Sequence, residues 1–138
     1  MAPAQQPLEL ILARNLIAAL AIPAFLVDAE GGLLFYNDAA GELLGQRLEE
    51  TGRLSPEEWR RIGPLDSQGN RISHERLPMR TALREGRPAH GRFHICTDQR
   101  NLVEIETSAL PLLVGEASRG AIIVFWPVPG AQPRPLPR

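Results

Sequence analysis

The segment from Val103 to Leu110 alternates between apolar and polar residues, and this alternation limits what the chain can fold into. One side of such a strand carries small or apolar residues: Val103, Ile105, Thr107 and Ala109. The other side carries polar residues: Glu104, Glu106 and Ser108. The pattern predicts a half-buried antiparallel strand with its charges in water. Residues 89–97 and 121–128 are rich in β-branched and apolar side chains and predict strands on either side of it in sequence.

The front of the chain predicts a β-hairpin that leads directly into a helix. Residues 23–28 and 33–36 have strand composition, and Gly31-Gly32 between them supplies a turn. Asn37 and Asp38 both favour the N-cap position, where a side-chain oxygen accepts a hydrogen bond from an otherwise unpaired backbone N–H. We therefore interpret this polar pair as the end of a strand and the cap of a helix, with no catalytic role.

Residues 8–21 have the spacing of an amphipathic helix, which Pro23 ends. Apolar residues recur at steps of three and four along one stripe: Leu8, Ile11, Leu12, Leu16, Ala19 and Leu20. Further apolar residues widen it: Leu10, Ala13 and Ile17. Such a helix either packs only on its own sheet or also pairs with a second copy. We expect a homodimer, with these contact residues: Leu8, Ile11, Leu12, Leu16 and Ala19.

The middle of the chain predicts further helices. Residues 55–62 begin with Ser-Pro-Glu-Glu, a helix-start signal, and residues 66–70 form a turn. A longer helix should begin near Leu77, with Pro78 in its first turn, and should stop at Gly86. We expect residues 1–7 and the proline-rich residues 129–138 to be disordered. The order of elements predicts an α+β domain whose antiparallel sheet is covered on one face.

The bulk properties exclude several classes of function. The 138 residues suit one domain, and with 43% apolar residues and a net charge of −1 the chain has no basic field for nucleic acid. A single cysteine, Cys96, fits a reducing compartment. The longest apolar run, from Leu16 to Val27, is shorter than the roughly 20 residues that a membrane helix needs. We therefore expect a cytoplasmic protein without a membrane segment.

Three segments together resemble the PAS (Per-ARNT-Sim) family: "IPAFLVDAEGGLLFYNDAAGELLG", "LDSQGNRISHERLPMRTALREGRP" and "VEIETSALPLLVGEASRGAIIVFWPV". The resemblance implies a PAS domain over residues 22–128, with a five-stranded antiparallel sheet, helices on one face and an extra N-terminal amphipathic helix. Members of this family sense ligands, light or redox state and mediate dimerisation. The resemblance therefore implies a signalling role, in a bacterial pathway.

The residues that carry cofactors in this family are not matched. Light-sensing flavin members carry an Asn-Cys-Arg motif, which this chain lacks, and Cys96 falls on a strand. Of the histidines, His74 lies nearest the long helix that carries the ligand in haem members, whereas His90 and His94 lie on a strand. The sequence indicates neither flavin nor haem. It also lacks the spacing of a metal site and the motifs of common enzymes, so we expect no catalysis.

The family fold places a ligand pocket between the long helix and the concave face of the sheet. The candidates are mostly apolar residues of these elements: Leu43, Leu77, Thr81, Leu83, Phe93, Ile95, Val103, Ile105, Thr107, Ile123 and Phe125. Thr107 differs from the others because its hydroxyl needs a hydrogen-bond partner on an apolar face. That partner is either a ligand or a backbone group.

Many signalling members end their last strand with Asp-Ile/Val-Thr, whereas this chain has Pro127-Val128-Pro129. Two prolines remove donors and oppose a continuing helix. A signal would then pass through a dimer or a separate partner protein. We predict a stand-alone sensor that binds a small molecule. The alternative is a protein-interaction and dimerisation module whose core is fully packed and binds no ligand.

Overall fold

A computed structural model describes residues 8–44, 64–97 and 101–135. The helices in these ranges are α1 (Leu8–Ala18), α2 (Asp38–Leu44) and α3 (Pro78–Glu85). The strands are β1 (Ala24–Val27), β2 (Leu33–Tyr36), β3 (Ala89–Cys96), β4 (Asn101–Val114), β5 (Ala117–Pro127) and β6 (Arg134–Pro135). They form one antiparallel sheet in the order β2-β1-β5-β4-β3, and β6 pairs with the start of β4. The predicted α+β fold is confirmed.

The sheet has two differently covered faces. Its inner face packs against α2 and α3, where Ala40, Leu44, Met79 and Ala82 join one buried apolar core. Its outer face packs against α1 over β1, β2 and β5 and forms a second, smaller core. The predicted arrangement, with helices on one face and an additional N-terminal helix, is confirmed. None of the helices in the described part of the chain has the length and apolarity to span a bilayer.

The β1–β2 hairpin is held by the side chain of Asp28. Its Oδ1 accepts hydrogen bonds from the backbone N–H groups of Glu30 at 3.0 Å and Gly32 at 2.8 Å. Gly31 adopts φ +90°, a conformation that favours glycine. The turn at Gly31-Gly32 therefore forms as the sequence predicted, and the side chain of Asp28 stabilises it through hydrogen bonds to its backbone.

Helix α1 ends at Ala18, three residues before the predicted end at residue 21. The last turn tightens, because Ala19 and Leu20 donate to the carbonyl oxygens three residues earlier, each at 3.1 Å. The carbonyl oxygens of Ile17, Leu20 and Ile22 accept hydrogen bonds from Asn37, a side chain distant in sequence. A local reading of the helix pattern could not include this long-range cap.

Helix α3 forms as its sequence predicted. Pro78 occupies its first turn, and Gly86 ends it in the left-handed conformation with φ 66°. The start of α3 lies directly over β3, because a Cβ placed on Gly91 would come within 2.8 Å of Pro78 Cγ. A glycine at this point of β3 therefore allows the helix to approach the inner face closely.

The β4–β5 hairpin is longer than the sequence predicted. Residues 115–120, Gly-Glu-Ala-Ser-Arg-Gly, have the composition of a polar turn between two strands, but Ala117–Gly120 belong to β5 and only Gly115 and Glu116 make the connection. Gly115 has φ 62°, and the strand register shifts between Leu112 and Leu113. The bulge and the left-handed Gly115 thus allow a tight turn. The polar residues that follow the turn therefore pair with β4 as part of β5.

The proline-rich tail contains a short regular element, contrary to the expectation that it forms none. After a turn at Pro129-Gly130, Arg134 and Pro135 pair with Leu102 and Asn101 of β4. The Arg134 guanidinium also donates to the backbone oxygen of Ser67. Proline is tolerated in this two-residue edge strand because an edge leaves one side of the backbone unpaired.

Some predictions concern residues outside the described ranges. These are the lead-in at residues 1–7, the helix at residues 55–62, the last residues of the tail, and Gly45, whose residue type favours the C-cap of the helix that follows Asn37. They stay predictions.

Candidate ligand-binding face and dimer surface

The inner face of the sheet carries an aromatic group at its centre. The rings of Phe25 and Phe125 lie 4.7 Å apart between centroids, and Tyr36 meets Phe25 edge-on at 6.2 Å. Phe93 is half-buried beside the same core. Such pairs add about 0.5–1.5 kcal/mol each beyond the burial of their area. Phe125 and Tyr36 are buried in the core, whereas Phe25 and Phe93 keep part of their surface exposed.

The predicted pocket residues share this side of the sheet or border it. In the ladder Phe93 lies opposite Ile105, Ile95 opposite Val103, and Phe125 opposite Thr107. The members that are buried in the inner core are Ile95, Val103, Ile105, Ile123 and Phe125. Those that are partly buried against it are Leu43, Leu83 and Phe93. Whether any of them contacts a ligand stays a prediction.

Three predicted pocket residues do not belong to the inner apolar core. Leu77 is buried at the start of α3, and Thr81 is half-buried on that helix. Thr107 is buried, and its hydroxyl donates to the backbone oxygen of Val124 at 3.1 Å. This hydroxyl therefore has a protein partner and does not require a ligand to satisfy it.

Sequence reasoning missed several residues of the inner face. Phe25 and Tyr36 form half of its aromatic group, and Met79 and Ala82 are the buried contacts of α3. The parity of β1 and β2 could have revealed the two aromatics, since Phe25 and Val27 share a face with Tyr36. In α3 the apolar residues Met79, Ala82 and Leu83 recur at steps of three and four, so helical periodicity could have identified its buried side.

Asn37 links the two sides of the sheet. Its amide oxygen accepts hydrogen bonds from Ala40 N at 3.0 Å, which caps α2, and from Ala24 N at 3.1 Å. Its amide nitrogen donates to the backbone oxygens of Ile17 at 2.9 Å and Ile22 at 2.8 Å. The residue is 2% exposed. One buried side chain therefore joins the end of α1, the start of β1 and the start of α2.

Helix α1 buries one face and exposes another. Leu10, Ala13 and Ile17 are buried against the outer face of the sheet. The predicted dimer contacts lie on its exposed side, including Leu8, which is 64% exposed, and Leu12 and Leu16, both 58% exposed. Ile11 and Ala19 are exposed as well. Arg14 covers the Phe35 ring at 5.0 Å and fixes the flank of the helix towards β2.

Polar side chains occupy the outer side of β3 and of the facing part of β4. Arg92 of β3 pairs with Glu106 of β4 at 2.6 Å, and the ring of His90 lies 2.7 Å from the hydroxyl of Ser108. Cys96 is half-buried and its thiol contacts the backbone oxygen of Thr97 at 3.4 Å. No group of three histidine, cysteine, aspartate or glutamate side chains in the described ranges is arranged to hold a metal ion.

No protein-family model matches the chain, and no curated protein matches it. Solved structures of PAS domains do. The PAS domain of BvgS from Bordetella pertussis is 16% identical with a TM-score of 0.59, and the match covers 87% of this chain and 85% of that one. A PAS domain from Colwellia psychrerythraea is 16% identical with a TM-score of 0.63, over 86% and 97%.

The LOV protein of Rhodobacter sphaeroides is also similar, at 16% identity and a TM-score of 0.70, over 90% of this chain and 70% of that one. At these identities the likeness concerns the fold. The PAS-like fold agrees with three features of this chain: the strand order, the position of α2 and α3 over the inner face, and the extra N-terminal helix. The resemblance noted in the sequence is thereby confirmed at the level of the fold.

Proposed function

From the PAS fold of this chain, we propose that it is a sensory domain that works as a homodimer and takes a small molecule on its inner face. The observation that carries the proposal is the exposed apolar side of α1. Leu8, Leu12 and Leu16 each expose more than half of their surface, although the opposite side of the same helix is already buried. Contiguous exposed apolar surface marks interaction sites in soluble proteins.

A second copy of the chain is the partner that we propose for this surface. Burial of a leucine side chain stabilises an interface by roughly 1.5–3 kcal/mol, so three such residues from each copy supply a substantial driving force. Asn15 is the polar residue in the middle of this side, while Glu9 and Arg14 lie at its flanks. A mainly apolar strip between charged flanks suits pairing with an identical strip across a twofold axis.

The ligand that we propose is apolar or of mixed polarity. The inner face offers aromatic rings and aliphatic side chains, and Phe25 and Phe93 are only partly buried there. A signal would travel through Asn37, because the same side chain holds α2 on the inner side and the end of α1 on the outer side. This connection supplies a physical route between a ligand and the dimer surface.

The alternative function is an interaction module with a packed core and no ligand. Thr107 favours it, since the hydroxyl of this predicted pocket residue already donates to the backbone oxygen of Val124. The described part of the inner face is also well buried. This alternative shares the dimer surface with the main proposal, and the two differ only in the presence of a small molecule.

Introducing negative charges on the exposed side of α1 tests whether this side forms the dimer interface. Leu12→Glu combined with Leu16→Glu should convert the protein to a monomer, because four carboxylates would meet in the apolar interface. Native mass spectrometry and analytical ultracentrifugation measure this. Leu113→Glu is the matched control, because Leu113 is 41% exposed and lies on the β4–β5 hairpin. A double variant that stays dimeric would contradict the proposal.

The ligand is tested on protein purified directly from cells. We expect the native mass to exceed the denatured mass by a small molecule, and Phe93→Ala should reduce the bound fraction. Phe35→Ala is the control, since this phenylalanine is also half-buried but lies on the outer side. Equal native and denatured masses would favour the packed interaction module. An absorption spectrum of the same sample would detect a flavin or a haem, neither of which the sequence indicates.

A further inference from the structure

A cleft of about 310 Å³ lies at the edge of the sheet beside β3. Its walls come from the turn at residues 66–73, the 3₁₀ turn His74–Arg76, strand β3 and one residue of β4. The side chains that border it are polar or charged, apart from Ile72 and Phe93. Phe93 is the one residue that the cleft shares with the inner core. The two concave regions are therefore largely separate.

The walls of the cleft are held by backbone hydrogen bonds. Leu65 and His94 exchange N–H···O bonds of 2.7 and 2.8 Å, which ties the turn to the free edge of β3. Asp66 closes the turn itself, since its Oδ1 accepts from Gln68 N at 2.8 Å and Asn70 N at 3.0 Å. Arg134 of β6 adds a hydrogen bond to the backbone oxygen of Ser67. A cleft with such walls is a preformed feature.

Positive charge is in excess among the groups free to meet a ligand. The backbone N–H of Asn70, followed by that of Gln68, lowers the pKa of Asp66, so its carboxylate is ionised and engaged within the turn. Arg92 is paired with Glu106 at 2.6 Å. Arg71 and Arg76 also border the cleft, and neither has a carboxylate partner within the described ranges. Glu104 is the opposing charge on the β4 side.

We propose that this cleft binds a small oxyanion, a carboxylate or a phosphate, through Arg71 and Arg76. The planar guanidinium group matches both anions because it offers parallel N–H donors. Ser67 and Ser73 line the cleft and add hydroxyl donors, and Ile72 and Phe93 supply an apolar wall for the rest of the molecule. Apart from Phe93, the residues that we propose to hold the anion differ from those that we propose for a ligand on the inner face, so either ligand can be bound without the other.

The test is a titration of the ¹⁵N-labelled full chain with sodium phosphate and, separately, with sodium succinate, at constant ionic strength. We expect saturable shifts of the amide signals of residues 65–73 and 92–94. The anion that saturates at the lower concentration identifies the preferred class. Combining Arg71→Gln with Arg76→Gln should weaken binding at least tenfold. Arg119→Gln removes one exposed charge from the β4–β5 hairpin and should leave binding unchanged.

Glu104→Gln is expected to change anion affinity in the opposite direction to the double arginine variant. Removal of this carboxylate should strengthen binding of an anion severalfold, because it removes a like charge from the cleft. Weaker binding of both anions in Glu104→Gln would overturn the proposal, because a carboxylate that repels an anion cannot support its binding. The proposal would equally be overturned by unchanged affinity in the double arginine variant, by an equal loss in Arg119→Gln, or by signals that do not saturate with either anion.

Discussion

Replacement of Asn37 by alanine is expected to lower the free energy of unfolding by about 4 kcal/mol. The side chain makes hydrogen bonds of 2.8–3.1 Å to four backbone groups, and a fifth group, the oxygen of Leu20, lies at 3.4 Å. Alanine would leave these groups without their partner in a buried place. Urea denaturation followed by circular dichroism measures the change through the midpoint of the transition.

Two further variants show which part of Asn37 matters. Asn37→Asp keeps an acceptor for α2 but loses the amide donors and brings a negative charge towards three carbonyl oxygens, so its cost should approach that of alanine. Asp38→Ala is the neighbouring control. Asp38 is exposed in the first turn of α2, and its loss should cost less than about 1 kcal/mol. A stable Asn37→Asp protein would mean that helix capping alone accounts for the role of this residue.

Gly120→Ala is expected to destabilise the fold by about 4 kcal/mol or more, enough to abolish soluble expression of a domain of ordinary stability. A Cβ at this position would lie 2.2 Å from the backbone oxygen of Val27 and 3.2 Å from Leu10 Cδ2. The residue also has φ +141°, which side-chain-bearing residues rarely adopt. The clash with Val27 separates β1 from β5, the contact that unites the two halves of the sheet.

Soluble yield and thermal denaturation measure this effect, and Gly115→Ala provides the matched control. Gly115 has φ +62°, but a Cβ there would meet no atom within 4 Å. Its replacement should therefore cost only about 1–2 kcal/mol, the strain of the left-handed conformation. Leu10→Ala should not rescue Gly120→Ala, because the closer obstacle is a backbone atom. Rescue by Leu10→Ala would show that the helix contact is the real constraint.

The sequence predicted the sheet better than the helices. Alternation in β4 places Ile105 and Thr107 on the buried side without any knowledge of neighbours, because a strand has only two sides. The turn at Gly31-Gly32 and the stop at Gly86 follow from the conformational freedom of glycine. Helix α1 ends before the predicted residue 21, where Asn37 donates to the carbonyl oxygens of Ile17 in its last turn and of Ile22 beyond it. Contacts between residues distant in sequence are invisible to local patterns.

The two candidate sites differ in how far they could be predicted. The inner face could be outlined from strand parity, since apolar residues on one side of β3, β4 and β5 must share a core. The edge cleft could not. It exists because Leu65 pairs with His94, which brings Arg71 and Arg76 beside Arg92, and no spacing in the sequence indicates that pairing. Single arginines in a polar loop look like ordinary surface residues.

The strand order affects how the chain can fold while it is being synthesised. β5 is the middle strand of the sheet, yet it is the last of the five ordered strands to be synthesised, and its residues 121–124 pair with residues 24–27 of β1. β1 therefore leaves the ribosome long before its second neighbour exists. Contacts between residues so distant in sequence slow folding. The sheet cannot be completed until β5, in the last third of the sequence, has been synthesised. During that interval α1, which precedes β1 in the chain, can cover the outer side of β1, as it does in the described part of the folded structure.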